Sequence, residues 1–262
     1  PTGSDRRAAA EVAAIEIGTR LPGLARALAA TGAGQGRPVT AEGLAARVRG
    51  WYDPFAQPAL AEVEALGRDA GIGWEQAGPV AAQETWDTYR HDSGLSRTLE
   101  MVTPPRGTVY DDVLTPLIGP MSATLHKRVT LLYRPVDSAD APGALDLQVR
   151  AAMNRAGRRS GVVHAHDSAE VRAALQAAAE EATGAGVVNF AVLVTVTVDG
   201  DPPTGAAELK RSTEAVTRAG RAAQIRLRPV TGAQAFAFTV GLGVGLSPSH
   251  LSFLPALLRA NS

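Results

Sequence analysis

The chain has 262 residues, 45% of them hydrophobic and 20% charged, which allows one large domain or two small ones with a sizeable core. Lys and Arg total 26 and so do Asp and Glu, so no overall field draws the protein to nucleic acid or to an anionic membrane. There is no cysteine, which excludes disulfides, thiolate catalysis and thiolate metal sites.

The chain begins at Pro1, without a methionine, and reads as a fragment or processed product; no signal peptide is visible. The longest strongly apolar stretch, FAVLVTVTV at 190–198, is too short to cross a bilayer as a helix. The first 78 residues read as helical. DRRAAAEVAAIEIGTR and LPGLARALAATG are two helices, Pro22 sitting in the first turn of the second and Gly32 closing its end. TAEGLAARVRGWYDP is a third, with Thr40 as N-cap and Pro54 as its stop, and ALAEVEALGRDAG is a fourth.

From residue 79 the period changes to that of strands. AQETWDTYR (82–90) and LSRTLEMV (95–102) alternate, the second with Leu95, Leu99 and Met101 on one face and Ser96, Thr98 and Glu100 on the other. HDSG between them is a hairpin turn, its glycine available for a positive φ. A short helix, VYDDVLTPLIG, precedes the strand KRVTLLYRPV, in which Val129, Leu131 and Tyr133 oppose Arg128, Thr130 and Arg134. Residues 138–184 are mostly helical with a break near GRRSGVVHAHDS. In VVNFAVLVTVTV the even positions from Val188 to Val198 make one apolar face, which predicts a central strand with one buried face. An amphipathic helix through Leu209 and Val216 leads to QIRLRPV, with Ile225 and Leu227 inward and Arg226 and Arg228 outward; the apolar end of the chain packs back on the sheet. The order predicts an α+β fold: an N-terminal helical segment, 1–78, then an α+β domain, 79–262, with a mixed or antiparallel sheet, ferredoxin-like β-α-β units and helices on one face.

Several stretches invite a chemical reading. YRHDSG (89–94) sets His91, Asp92 and Ser93 side by side, but consecutive side chains on a turn diverge and cannot form a triad relay, so the reading is a turn bonding its local backbone. HAHD (164–167) offers His164, His166 and Asp167; on an extended backbone the two imidazoles share a face and can meet one zinc ion. Against this, Asp167 and Glu170 have capping-box spacing before SAEVRAALQAAAEEATG, and Ser168 stands where a metallo-β-lactamase pattern needs its next histidine. GLGVGL (241–246) and GAGQG (32–36) lack the spacing and context of a nucleotide loop and read as turns. Asp111 and Asp112 are adjacent on a helix and do not face each other. Arg128, Arg134, Arg226 and Arg228 would share one cationic surface if their two strands were neighbours, with Glu84 and Glu100 as counter-charges.

GTRLPGLARALAATGAG, WDTYRHDSGLSRTLEM, KRVTLLYRP and RLRPVTGAQAFAFTVGLGVGL together resemble an actinobacterial family of membrane-associated proteins encoded in conjugative or integrative elements. The resemblance covers most of the chain from Asp5 onward. It implies the large soluble region that in the family follows two transmembrane helices, a region related to the E component of ESX (type VII) secretion and reminiscent of the N-terminal domain of type IV secretion ATPases. The matched stretches are structural and bring no active-site residues with them. The transmembrane pair is absent from these residues, PTGS runs straight into a helix where an edge strand is expected, and HAHD falls in a region that varies within the family.

The expectation is therefore a non-enzymatic soluble domain at the cytoplasmic face of the cell membrane, without a cofactor. Its partners would be secretion or conjugation proteins, an ATPase among them, or copies of itself, met through the arginine face and the apolar C-terminal tail. One alternative is a zinc-dependent hydrolase using His164, His166 and Asp167. Another is a nucleic-acid-handling accessory domain using the four arginines, against which the neutral charge counts.

Overall fold

The computed structural model describes residues 3–32, 34, 36, 38–105, 110, 112–121, 126–158, 165–201 and 204–246. The chain divides into two compact units, one of residues 1–49 with 58–78 and one of residues 50–57 with 79–262.

The first unit is helical. The break predicted at Pro22 does not occur: α1 (Gly3–Ala30) runs through it. A proline removes one backbone hydrogen bond and crowds the preceding turn, but alanine-rich flanks hold the helix on both sides. Gly32 follows the helix with φ +80, and its N–H bonds Ala29 O at 3.1 Å. Thr40 caps α2 (Ala41–Tyr52) by accepting the Gly43 N–H at 3.0 Å. In α3 (Gln57–Ala65), Glu64 pairs with Arg47 of α2.

The second unit is built on a six-stranded sheet in which every pairing is antiparallel. The predicted strand 82–90 is two short ones, β1 (Ala82–Glu84) and β2 (Tyr89–His91), separated by a turn in which the Thr85 N–H bonds Thr88 O. β3 (Gly94–Thr103), β4 (His126–Pro135), β5 (Val188–Asp199) and β6 (Arg226–Pro229) follow. Their spatial order is β4-β5-β3-β6, with β2 sharing the β6 edge of β3. β3 and β4 are thus parallel with β5 between them, and β5 and β6 are parallel with β3 between them. α4 (Thr115–Ile118) lies in the first crossover and α7 (Gly205–Ala222) in the second. These are two interlocked split β-α-β units, the ferredoxin-like arrangement the element order predicts. A helical hairpin, α5 (Ala141–Arg158) and α6 (Ala165–Ala182), is inserted between β4 and β5.

One face of the sheet carries the apolar core. Leu95 and Leu99 of β3, Val192, Val194, Val196 and Val198 of β5 and Leu227 of β6 pack with Leu117, Leu209 and Val216 from α4 and α7. The prediction of helices on one face alone is wrong. The last strong apolar run forms α8 (Gln234–Val240) on the other face, so β5 is buried on both sides from Val192 to Val198. Among the described residues, no helix is long and apolar enough to cross a membrane.

α8 also repairs the sheet. On their shared edge of β3, β2 pairs up to Ser96 and β6 begins at Leu99; Thr98 O still accepts the Val230 N–H at 3.0 Å, but the Thr98 N–H has no backbone partner there. The buried Gln234 amide fills that gap: Oε1 accepts the Thr98 N–H at 2.7 Å, and Nε2 donates to Thr98 O at 3.0 Å. Replacing it by leucine (Gln234→Leu) strands a buried backbone donor, and the expected cost is about 1–3 kcal/mol. Denaturant unfolding measures it; an unchanged midpoint would show that water reaches this edge.

Candidate functional site

The second face of the sheet gathers most of the buried polar side chains among the described residues. β3 and β5 set Ser96 against Thr197 and Thr98 against Thr195. All four hydroxyls are buried and joined in pairs, Ser96 Oγ to Thr197 Oγ1 at 2.7 Å and Thr98 Oγ1 to Thr195 Oγ1 at 2.9 Å. Pairing lets a polar face sit under a helix without unsatisfied groups. Tyr89 and His91 of β2, Tyr52 at the end of α2 and Phe238 of α8 close over them, with ring centroids 4.5–5.9 Å from one another.

His91 is the node of this cluster. Its Nδ1 lies 2.6 Å from Tyr52 O and its Nε2 2.7 Å from Ser96 Oγ. A carbonyl only accepts, so Nδ1 carries the proton and Nε2 accepts from the serine hydroxyl, giving a neutral imidazole with both nitrogens satisfied. Burial pushes its pKa down to about 4, against weaker upward pulls from the Tyr52 carbonyl and the carboxylates of Asp92 and Asp53; Arg128 adds to the depression. A serine hydroxyl on a histidine nitrogen is the geometry of a nucleophile and its base. Here both residues are 0% exposed, and a Cβ on Gly94 would come within 2.6 Å of the imidazole Cε1. With no exposed surface on either residue, a substrate does not reach this pair in the folded structure.

The HDSG turn thus has a different use from the one predicted. Asp92, not the glycine, takes the positive φ (+43), a conformation aspartate tolerates. Gly94 serves instead to leave room for His91. Nor are the turn's bonds local: Asp92 Oδ1 accepts the N–H groups of Val80 and Ala81, while Ser93 Oγ donates to Asp53 and accepts from the Phe55 N–H. With the His91–Tyr52 bond, the turn clamps residues 52–55 onto the sheet.

Arg128 is half-buried on the same face. Its guanidinium lies over the rings of Phe238 (4.7 Å) and Trp51 (5.7 Å) and donates to Phe238 O in the last turn of α8. A cation there is favoured by the helix dipole and by the aromatic faces. Burial lowers its pKa to about 10. Thr130 continues the attachment through Gly241 O at 2.7 Å.

The other predicted residues do not converge. β4 and β6 are separated by two strands, ~14 Å at normal strand spacing, so the four arginines do not form one surface. Arg134 is exposed at the far end of β4, Arg228 pairs with Glu100, and Arg226 lines an open cleft of about 450 Å³ with Thr103, Arg221 and Gln224. Among the described residues Glu84 pairs with no arginine; it accepts the Ala235 N–H. His164 lies outside the described residues, as do Asp111 and the tail 247–262. His166 and Asp167 fall in the first turn of α6, which begins at Ala165, ahead of the predicted cap; their side chains are not among those described. Among the described residues, no three His, Asp or Glu side chains are grouped to hold a metal ion.

Sequence reasoning missed an exposed surface. β3 pairs with β5 only down to Leu193, while the β4–β5 ladder continues to Pro135 and Val188. The result is a two-stranded ribbon in which Tyr133 lies opposite Phe190. Leu131 (39% exposed), Tyr133 (66%), Val188 (44%) and Phe190 (50%) carry the core face of the sheet into solvent. Gln234, the single amide in the apolar run AQAFAFTV, was the available signal for the buried anchor.

A comparison with protein-family models gives no match, and a comparison with curated proteins gives none either.

The His91 environment predicts a pH dependence. Unfolded, the imidazole takes its proton near 6.5; folded, near 4. Between these values only the unfolded chain binds the proton, so the stability His91 contributes is complete above pH 6.5 and falls as pH falls. The loss is roughly 3 kcal/mol by pH 4. Unfolding free energies measured from pH 7 to 5 should decline more steeply for the wild type than for His91→Gln. Equal slopes would mean that His91 is solvated in the folded state.

Proposed function

We propose that this chain is a non-enzymatic protein-contact domain belonging to a membrane-anchored component of a conjugation or secretion apparatus. The observation that carries the contact reading is the ribbon. A sheet whose core-side row runs on into solvent through Leu131, Tyr133, Val188 and Phe190 has an apolar surface that a partner would cover. The groups that resemble catalytic ones, His91, Ser96 and Arg128, are occupied in fastening α8 and residues 52–55 to the sheet.

The choice of apparatus rests on the four stretches that resemble the actinobacterial family, and with it the location at the cytoplasmic face of the cell membrane. Secretion or conjugation proteins, an ATPase among them, are the partners this reading names. Affinity purification of the full-length native protein from solubilised host membranes, with partners identified by mass, tests it. Recovery with such an ATPase and other membrane components is the expected result. Recovery alone, from the soluble fraction, would contradict it.

A further inference from the structure

We infer that the free edge of β4 takes up an extended, basic segment of a partner protein as an added strand. This rests on the contact-domain reading and gives the partner's chemistry. β4 ends the sheet, and among the described residues its outer edge pairs with no strand. Such an edge presents unpaired N–H and C=O groups at strand spacing, and their complement is another strand. The edge is long, His126 to Pro135, and pairing stops at Pro135, which has no N–H to offer.

Side chains choose the sequence of that strand. Tyr133 and Leu131 stand on the edge strand, with Phe190 and Val188 behind them on the same face. An added strand with apolar residues at alternate positions would extend this row across the edge. The charge comes from the end of the ribbon, where the Val136 N–H bonds Val187 O and the chain passes into α5 and returns from α6. Asp137 and Asp140 lead into α5; Glu180 and Glu181 close α6. Among the described residues, none of these four carboxylates is in an ion pair. The last turn of α6 has no basic residue, although the negative end of a helix favours a cation. Lysine or arginine beside the apolar stretch of the incoming strand would supply it.

The test uses the whole chain and two fluorescent peptides of alternating valine and threonine, one flanked by lysines and the other by glutamates, read by anisotropy at low salt. The lysine peptide should bind about tenfold or more tightly than the glutamate peptide, with a preference that fades as salt screens it. Tyr133→Ser, at an exposed position that leaves folding intact, should weaken binding about tenfold, on the order expected for an aromatic anchor. The pair Glu180→Gln and Glu181→Gln should remove most of the preference for lysine. Equal affinity for the two peptides, no binding of either, or indifference to Tyr133→Ser would overturn the inference. So would a dimer in sedimentation that Tyr133→Ser abolishes. If Tyr133→Ser recovers the same membrane proteins as the wild type, the contact-domain reading stands and this edge is the wrong surface.

Discussion

The second face of this sheet depends on one neutral imidazole. His91 joins three segments far apart in the chain: it donates to Tyr52 O at the end of α2, accepts from Ser96 on β3, and through Ser96 reaches Thr197 on β5. Its ring also packs against Phe238 of α8 at 4.5 Å. Two conditions keep it in place. Gly94 must have no side chain, and the ring must stay unprotonated, since a buried charge here has no carboxylate in direct contact to offset desolvation. The same residue types that suggest hydrolysis in YRHDSG act as a clamp, because burial decides what a histidine and a serine 2.7 Å apart can do.

With that face closed, the sheet is buried on both sides where β3 and β5 run together, and among the described residues its core-side row is exposed where the β4–β5 ladder outruns β3. Core and exposed apolar surface are parts of one continuous row of residues. Val194 and Val196 are buried under α7 and α4, and farther along the same face Phe190 and Tyr133 lie in solvent. The inserted α5–α6 hairpin is reached through this ribbon.

Much of the sheet was legible in the sequence. β3, β4, β5 and β6 alternate over most of their length, and the intervening helices forced crossovers, so the ferredoxin-like arrangement followed from element order. The buried second face was not legible. Ser96, Thr98, Thr195 and Thr197 alternate with apolar residues in the same way whether water or a helix lies over them, and α8 comes late in the chain. Arg128 was placed on the correct face but read as surface, because Trp51 and Phe238, which bury it, are distant in sequence. The ribbon escaped for the opposite reason: Val188 and Phe190 fit the apolar pattern of β5, and only the early end of the β3 pairing exposes them. Strand β1 was merged with β2 because a tight turn through Trp86 and Asp87 leaves little mark on a period-two pattern.

The central claim is that the His91 face is closed and structural. Imidazole nitrogen NMR of the folded chain across a pH titration tests it most directly. The account predicts a neutral ring protonated at Nδ1, with no change in its nitrogen shifts until the pH falls below about 5. A ring that titrates near 6.5 would show that water reaches His91 and Ser96, and would return this pair to consideration as a catalytic base and nucleophile.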